Sequence, residues 1–173
     1  MLKSPIILLS LVCIISCGVS AATKCRDFAD ASFALKITLT ERETSKDSHW
    51  ISESVHIADR YACYGRTSGG FLAGNDKSGS CRLDDATFER IRKQLLEHGP
   101  HRDIHESKST AGLGRSVSLH MEVFLDGKKT VAKISGMLNA WEKRDIGKVS
   151  NIENIGLVHH AGSIINMVKS SIK

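Results

Sequence analysis

The chain has 173 residues and a formal net charge of +5; 41% of its residues are hydrophobic and 5% are aromatic. This length favours a single domain that buries a sizeable core. Basic and acidic residues are interspersed and aromatic side chains are few, which argues against a nucleic-acid-binding platform. The mild basic excess fits solubility or a weakly acidic partner.

The first residues have the pattern of a secretory signal. Lys3 is followed by an apolar run over 6–15, interrupted by Ser10, and then by small residues up to Ala22. The run is too short to span a membrane. Two processing routes stay open: cleavage after Ala21, which releases a soluble protein, or lipidation of Cys17, because residues 14–17 resemble a lipobox.

Both routes predict export, either to the periplasm, with or without anchorage to the outer membrane, or out of the cell. The only membrane contact expected is an acyl anchor at Cys17. We therefore predict a signal over 1–21, a polar leader over 22–32 and one domain over 33–173.

Five cysteines bear on the compartment. Cys13 and Cys17 lie in the signal, which leaves Cys25, Cys63 and Cys81 in an oxidising environment. Cys63 and Cys81 flank a glycine-rich segment, and a disulfide between them would stabilise the fold by about 3 kcal/mol. Cys25 is then expected to be an unpaired thiol in the leader, with an intermolecular bridge as the alternative.

The first half of the domain shows strand patterns. Apolar residues alternate over 33–39, which predicts a half-buried strand, and a charged turn is expected over 41–48. A second strand containing Ile51, Val55 and Ile57 precedes a tight turn over 58–60. A third strand over 61–65 leads into a broad glycine-rich hairpin tip over 67–76, with Cys63 expected opposite Cys81 and Tyr61 opposite Leu83.

A helix begins clearly after Leu83. Asp84 has the position of an N-cap, and Leu83 and Phe88 have the positions of a hydrophobic staple. Phe88, Ile91, Leu95 and Leu96 form an apolar stripe, and residues 99–100, Gly-Pro, end the helix.

The second half repeats the hairpin and helix. A loop is expected over His101–Gly114, followed by a hairpin turning at Asp126-Gly127, in which Val123 faces Thr130, Met121 faces Ala132 and Leu119 faces Ile134. A second loop contains Trp141. A capping box over 150–153 opens a last, broadly apolar helix that ends near Ile172 and is expected to pack centrally on the sheet.

The predicted fold class is α+β, an antiparallel sheet built from hairpins with two helices packed on one face, in the order β-β-β-β-α-β-β-α. Trp50 and Trp141 fit either the core or an interface.

Histidines form the densest set of metal-binding side chains. His98, His101 and His105 lie close in sequence and could surround one ion in a flexible loop. Their spacing matches no zinc signature, so a solvated helix end and loop is the favoured interpretation. In the last helix, His159 and His160 point about 100° apart, and we expect one to be half-buried and the other exposed.

The glycine-rich segment Gly69–Gly74 is not a phosphate-binding loop, because Asn75 replaces the required lysine. Its apex carries Phe71 and Leu72, two apolar residues of the kind that anchor in a partner's pocket. No nucleophile motif is present, and neither enzymatic activity nor a cofactor is expected.

The stretch from Tyr61 onward is similar to the emfourin type of small bacterial metalloprotease inhibitor. The shared positions are residues 68–71 (Ser-Gly-Gly-Phe), Gly74 shifted by one place, Leu83 and Leu95, and the later hairpin and C-terminal helix follow in the same order. The N-terminal strands, the longer loop after Pro100 and the two cysteines depart from that pattern. The resemblance implies an inhibitory domain.

Together these features predict an exported, non-enzymatic binding module of the bacterial envelope that acts on a protein partner, as an inhibitor or an immunity-like protein, through Phe71 and Leu72. The loop over 101–114 is a secondary contact candidate. Two alternatives stay open: an envelope lipoprotein with a structural or assembly role, and a metal-dependent hydrolase.

Overall fold

The computed structural model describes residues 31–44, 48–74, 76–107, 114–137 and 150–172. Its elements, in chain order, are β1 (Phe33–Thr44), β2 (His49–Ala58), β3 (Tyr61–Gly70), β4 (Lys77–Arg82), α1 (Asp85–His98), β5 (Ile104–Ser107), β6 (Gly114–Leu125), β7 (Lys128–Met137) and α2 (Ser150–Ser171). The strands form one sheet in the order β4-β3-β2-β1-β6-β7-β5. The predicted α+β class is confirmed.

The sheet has two unlike faces, which β1 at its centre illustrates. Leu35 and Ile37 are buried, whereas Lys36 between them is exposed, because successive strand residues point to opposite faces. We call the side of Leu35 the core face and the side of Lys36 the outer face. Buried residues of α1 and α2 join those of the core face in one hydrophobic cluster.

Helix α2 provides the largest cover of this core. It contacts β1, β2 and β3 as well as α1, as expected for a central helix. Its buried residues are Leu157, Ala161, Ile164, Ile165 and Val168. This spacing places them on one face of the helix. The expectation that one of His159 and His160 is half-buried and the other exposed is confirmed: His160 is half-buried and His159 is exposed.

Helix α1 begins as predicted. Asp84 Oδ1 accepts a hydrogen bond from the backbone N–H of Thr87 at 2.7 Å, which satisfies one unpaired donor of the first turn. The staple residues Leu83 and Phe88 are buried. The prediction for Leu96 is wrong, since this residue is 52% exposed.

The β6–β7 hairpin also has the predicted register. Asp126 and Gly127 adopt positive φ angles, as a two-residue turn of this type requires. Val123 pairs with Thr130, Met121 with Ala132 and Leu119 with Ile134.

Three boundaries differ from the sequence prediction. β1 continues to Thr44 through the expected turn over 41–48, and β3 continues to Gly70 through the first residues of the expected hairpin tip. The loop expected over His101–Gly114 contains β5, which pairs in parallel with β7. A four-residue strand is too short to produce a clear alternation, which explains why the pattern missed it.

The predicted register of β3 and β4 is wrong by one residue. Tyr61 pairs with Arg82, and Cys63 pairs with Ser80. A slip of one residue transfers a side chain to the other face of a sheet. Cys63 therefore lies on the outer face, whereas Cys81 pairs with Ala62 and packs against the core.

The Cys63–Cys81 disulfide prediction is wrong for the same reason. Cys81 has a free thiol, and Cys63 is disulfide-bonded to a residue outside the described ranges. Burial raises the pKa of the Cys81 thiol, which makes it a poor nucleophile at neutral pH.

Several predictions concern residues outside the described ranges: the signal, the lipidation at Cys17, the state of Cys25 and the place of Trp141. Within the described residues, neither helix combines the length and hydrophobicity that a membrane span requires.

Candidate functional site

The apex of the β3–β4 hairpin presents the candidate anchors. β3 ends at Gly70, and a turn over 71–74 leads back towards β4. Gly70 and Gly74 have φ angles of +69° and +90°, which glycine adopts without steric cost. A Cβ on Gly70 would lie 2.0 Å from the carbonyl oxygen of Ser48, so this position requires glycine.

Hydrogen bonds hold the apex in one conformation. The backbone N–H of Ala73 donates to the Gly70 carbonyl at 3.1 Å, closing the turn. Ser68 Oγ donates to the Leu72 carbonyl at 2.7 Å, and the Ser68 N–H donates to Asp76 Oδ1 at 2.9 Å. The sequence pattern predicted a broad hairpin tip but not these side-chain bonds.

Phe71 projects from this turn and is 80% exposed. It is the most exposed of the three large hydrophobic residues that the described part of the chain exposes; Tyr61 and Leu96 are 50% and 52% exposed. Leu72 is half-buried. The two predicted anchors therefore differ: Phe71 exposes its ring to solvent, whereas Leu72 is half-buried and its carbonyl accepts a hydrogen bond from Ser68.

Trp50 supports the base of the hairpin. It pairs with Gly69 across β2 and β3, and a Cβ on Gly69 would lie 2.3 Å from Trp50 Nε1. The indole thus occupies the space that a side chain at 69 would need. Trp50 lies on the outer face and outside the core cluster, so of the two placements left open for it the core is excluded.

A second cluster ties the hairpin to α2. Tyr64 Oη donates to Glu53 Oε1 at 2.6 Å, and Lys169 Nζ donates to the same oxygen at 3.2 Å. Burial alone would raise the pKa of Glu53, but these two hydrogen bonds and the positive charges of Lys169 and Arg66 together outweigh it, and the pKa lies below its usual value. Burial and the bond to Glu53 raise the pKa of Tyr64 to about 12, so this hydroxyl stays a donor.

The stem of the hairpin is basic. Arg66 and Lys77 are directly opposite each other on β3 and β4, and such like-charged pairs destabilise a sheet. Glu53 pairs with Arg66 across β2 and β3. Lys77 is exposed and forms no ion pair with any residue described here, so its charge faces solvent.

The predicted histidine set is not brought together. His98 and His101 line a cavity of about 630 Å³ with His160, between the end of α1 and α2, whereas His105 lies on β5 and lines a separate groove. The described residues contain no group of three or more His, Cys, Asp or Glu that could hold a metal ion. The less favoured alternative, a metal site formed by His98, His101 and His105, therefore finds no support among the described residues.

Sequence reasoning missed the partner of His98. The rings of His98 and His160 stack in parallel with centroids 4.1 Å apart, and Gln94 Nε2 lies 3.0 Å from His160 Nδ1. Burial, followed by the charges of His98 and His159, lowers the pKa of His160. Residues 62 positions apart in sequence give no local signal of such a contact.

A cavity of about 1060 Å³ lies along the exposed side of α2 and reaches Glu41 on β1, Arg115 on β6 and Arg90 on α1. His159 and Ser163 line it, but no hydrogen bond joins them in the described part of the chain. It thus shows no nucleophile held by a base.

Comparisons with models of known protein families and with curated proteins give no match. The similarity to emfourin-type inhibitors stays a prediction, carried by residues 68–71 and the order of the later elements.

Proposed function

We propose that this protein is an exported binding module that inhibits or neutralises a protein partner by inserting Phe71 into an apolar pocket. The single observation that carries the proposal is the exposure of Phe71, 80%, on a hairpin apex fixed by hydrogen bonds.

Exposing an aromatic ring to water costs free energy. Removing a phenylalanine side chain from water contributes about 1.5–3 kcal/mol, and buried aromatic anchors near the centre of an interface carry much of its binding energy. A ring on a rigid turn loses little conformational entropy when it docks. The bonds from Ser68 to Leu72 and Asp76 supply this rigidity before binding.

The charges near the apex indicate which charges the rim of the partner's pocket should carry. Lys77 is exposed on the hairpin stem, directly across from Arg66. A partner with carboxylates beside its apolar pocket would relieve this repulsion and speed association. The proposed partner is therefore a protein with an acidic-rimmed apolar cleft, a description that fits the active-site region of a hydrolase.

The experiment compares the wild-type protein with Phe71→Asp and Leu96→Asp. Leu96 is an exposed apolar residue on α1, away from the hairpin, so its variant controls for general loss of hydrophobic surface. Each purified protein is immobilised, exposed to an envelope extract, and the captured protein is then titrated by calorimetry.

We expect the wild type and Leu96→Asp to bind the same partner with similar affinity, and Phe71→Asp to weaken binding by at least about thirtyfold, as for an interface hot spot. Circular dichroism verifies that all three are folded. Equal binding by all three proteins contradicts the proposal.

A further inference from the structure

The outer face of the sheet differs in charge from the rest of the molecule. Both described helices lie on the core face. The carboxylates of β1 and β2 point to the core side, near the margins of the sheet. They belong to Glu41, Glu43 and Glu53, which all occupy odd positions. The outer face carries the cations Lys36, Arg42, Lys129 and Lys133, against one strand carboxylate in the described ranges, Glu122.

The Glu122 carboxylate already has partners within the protein. Glu122 lies 3.0 Å from Lys129 Nζ and 3.1 Å from His120 Nε2. The hydrogen bond from Lys129 is the main reason why the pKa of Glu122 lies below its usual value. Lys133, four residues after Lys129 on β7, is exposed and forms no ion pair within the described residues.

Beside these cations, one hydroxyl residue from each of six adjacent strands lies in a single row across the outer face. We call this the hydroxyl row: Thr67, Ser52, Thr40, Ser118, Ser135 and Ser107. Neighbouring strands are about 4.8 Å apart, so the row presents donors and acceptors at regular steps. Two adjacent pairs are hydrogen-bonded, Thr40 with Ser52 at 2.9 Å and Ser135 with Ser107 at 3.0 Å.

One half of the hydroxyl row and one of the cations, Lys133, meet in a shallow groove of about 480 Å³ formed by β5, β6 and β7. Its polar lining is contributed by His105, Glu106, Ser107, Ser118, His120, Lys133 and Ser135. Glu106 pairs with the buried Ile134 and therefore lies on the core side of β5. The apolar residues that border it, Leu119 and Ile134, are buried with their side chains on the core face. The groove thus offers the Lys133 ammonium, the His105 imidazole and three hydroxyls, while His120 faces Glu122.

We infer that this groove and the hydroxyl row bind an acidic polysaccharide. Lys133 matches an anionic substituent, and serine and threonine hydroxyls can donate to and accept from sugar hydroxyls. A bilayer surface is a poorer fit, because the groove exposes no large apolar side chain to insert. The site is separate from the Phe71 apex and does not depend on the function proposed for it.

The test measures binding of the full mature chain to polygalacturonate, a carboxylated polysaccharide, with neutral dextran as the comparison. Three variants are used. Lys133→Glu reverses the groove charge. Lys93→Glu makes the same change in net charge at an exposed site on α1. Ser118→Ala removes one hydroxyl of the row without changing charge.

We expect wild-type protein to bind polygalacturonate and not dextran, and Lys133→Glu to lose at least about tenfold in affinity, as for a lost charge-assisted contact. Lys93→Glu should change affinity by less than about twofold, because screening weakens distant exposed charges, and Ser118→Ala should lose about threefold to tenfold.

Two results would overturn the inference. Equal losses in Lys133→Glu and Lys93→Glu would show attraction by net charge alone. Binding to vesicles of phosphatidylglycerol and phosphatidylcholine without binding to polygalacturonate would assign the face to an anionic membrane instead. Because Phe71→Asp leaves the groove unchanged, it should bind the polysaccharide like wild type, which separates this test from that of the hairpin.

Discussion

At the scale of single residues, the cysteines show that a shift of one residue in strand pairing determines whether two thiols can form a disulfide. The sequence places Cys63 and Cys81 symmetrically about a glycine-rich tip, and the structure separates them onto opposite faces because the pairing partner of Cys63 is Ser80. The hydrophobic pattern of β4 could not fix this register, since residues 77–82 contain Cys81 as their one apolar residue.

The cysteine assignment predicts a defined labelling result. We expect iodoacetamide, applied to unfolded but unreduced mature protein, to label Cys81 and leave Cys63 unlabelled, because Cys63 is disulfide-bonded and Cys81 has a free thiol. If the predicted signal is cleaved after Ala21, Cys25 is the one cysteine that the chain keeps besides Cys63 and Cys81. Peptide mapping should therefore find Cys25 joined to Cys63.

Two variants test this assignment further. Cys81→Ser should keep the disulfide, whereas Cys63→Ser should remove it and lower the free energy of unfolding by about 2–4 kcal/mol. Recovery of a peptide joining Cys63 to Cys81 would refute the assignment.

At the scale of secondary-structure elements, strong local signals predicted structure well. Asp84, Leu83 and Phe88 fixed the start of α1, and Asp126-Gly127 fixed the register of β6 and β7. Where local signals were weak, the prediction failed. β5 was missed because Ile104–Ser107 is short and its partner β7 lies more than twenty residues further along the chain.

The candidate site was likewise predicted only where the sequence carries a local signal. Phe71 could be picked out because an apolar residue between glycines is visible in the sequence. The hydroxyl row could not, since its members come from six strands and align only when every register is known.

The contact between α1 and α2 predicts a pH-dependent stability. His160 accepts a hydrogen bond from Gln94 Nε2 at Nδ1 and stacks on His98, so protonation would remove that acceptor and place a positive charge against a second imidazole. His101 and Arg102 line the same cavity, and Glu97 lies 3.8 Å from His98.

The direction of the effect follows from the lowered pKa of His160. The unfolded chain binds a proton at a higher pH than the folded one, so stability is full above the ordinary histidine pKa of 6.5 and falls as the pH drops below it. We expect wild-type protein to lose free energy of unfolding between pH 7.5 and pH 5, measured by urea denaturation.

His160→Gln should reduce this loss by about 1 kcal/mol, because glutamine does not titrate. His105→Gln, at an exposed position on β5, serves as the control and should retain the wild-type slope. Identical pH profiles for the wild type and His160→Gln would show that the stack does not govern acid stability.

At the scale of the whole molecule, one hydrophobic cluster joins the strands of the core face to both helices. Met121 and Ile37 are fully buried neighbours on β6 and β1 at the centre of the sheet. Because neither helix has a separate core within the described residues, the domain should unfold as one unit.

The Met121→Ala variant tests whether the domain unfolds as one unit. We expect it to lower the free energy of unfolding by about 2–5 kcal/mol, the usual cost of truncating a buried methionine. Ser118→Ala, on the same strand but exposed on the outer face, should change it by less than about 0.5 kcal/mol. Urea unfolding is followed by far-ultraviolet circular dichroism, which reports helices and strands, and by tryptophan fluorescence, to which Trp50 on β2 contributes.

In both variants the two signals should coincide in one transition, and Met121→Ala should shift its midpoint without changing the denaturant dependence. Separate transitions, with helical signal lost before the fluorescence change, would mean that α2 detaches from the sheet while the hairpins persist. The outer face and the Phe71 apex would then belong to a sheet that is stable without its helical cover, and the two proposed binding surfaces would not depend on the shared core.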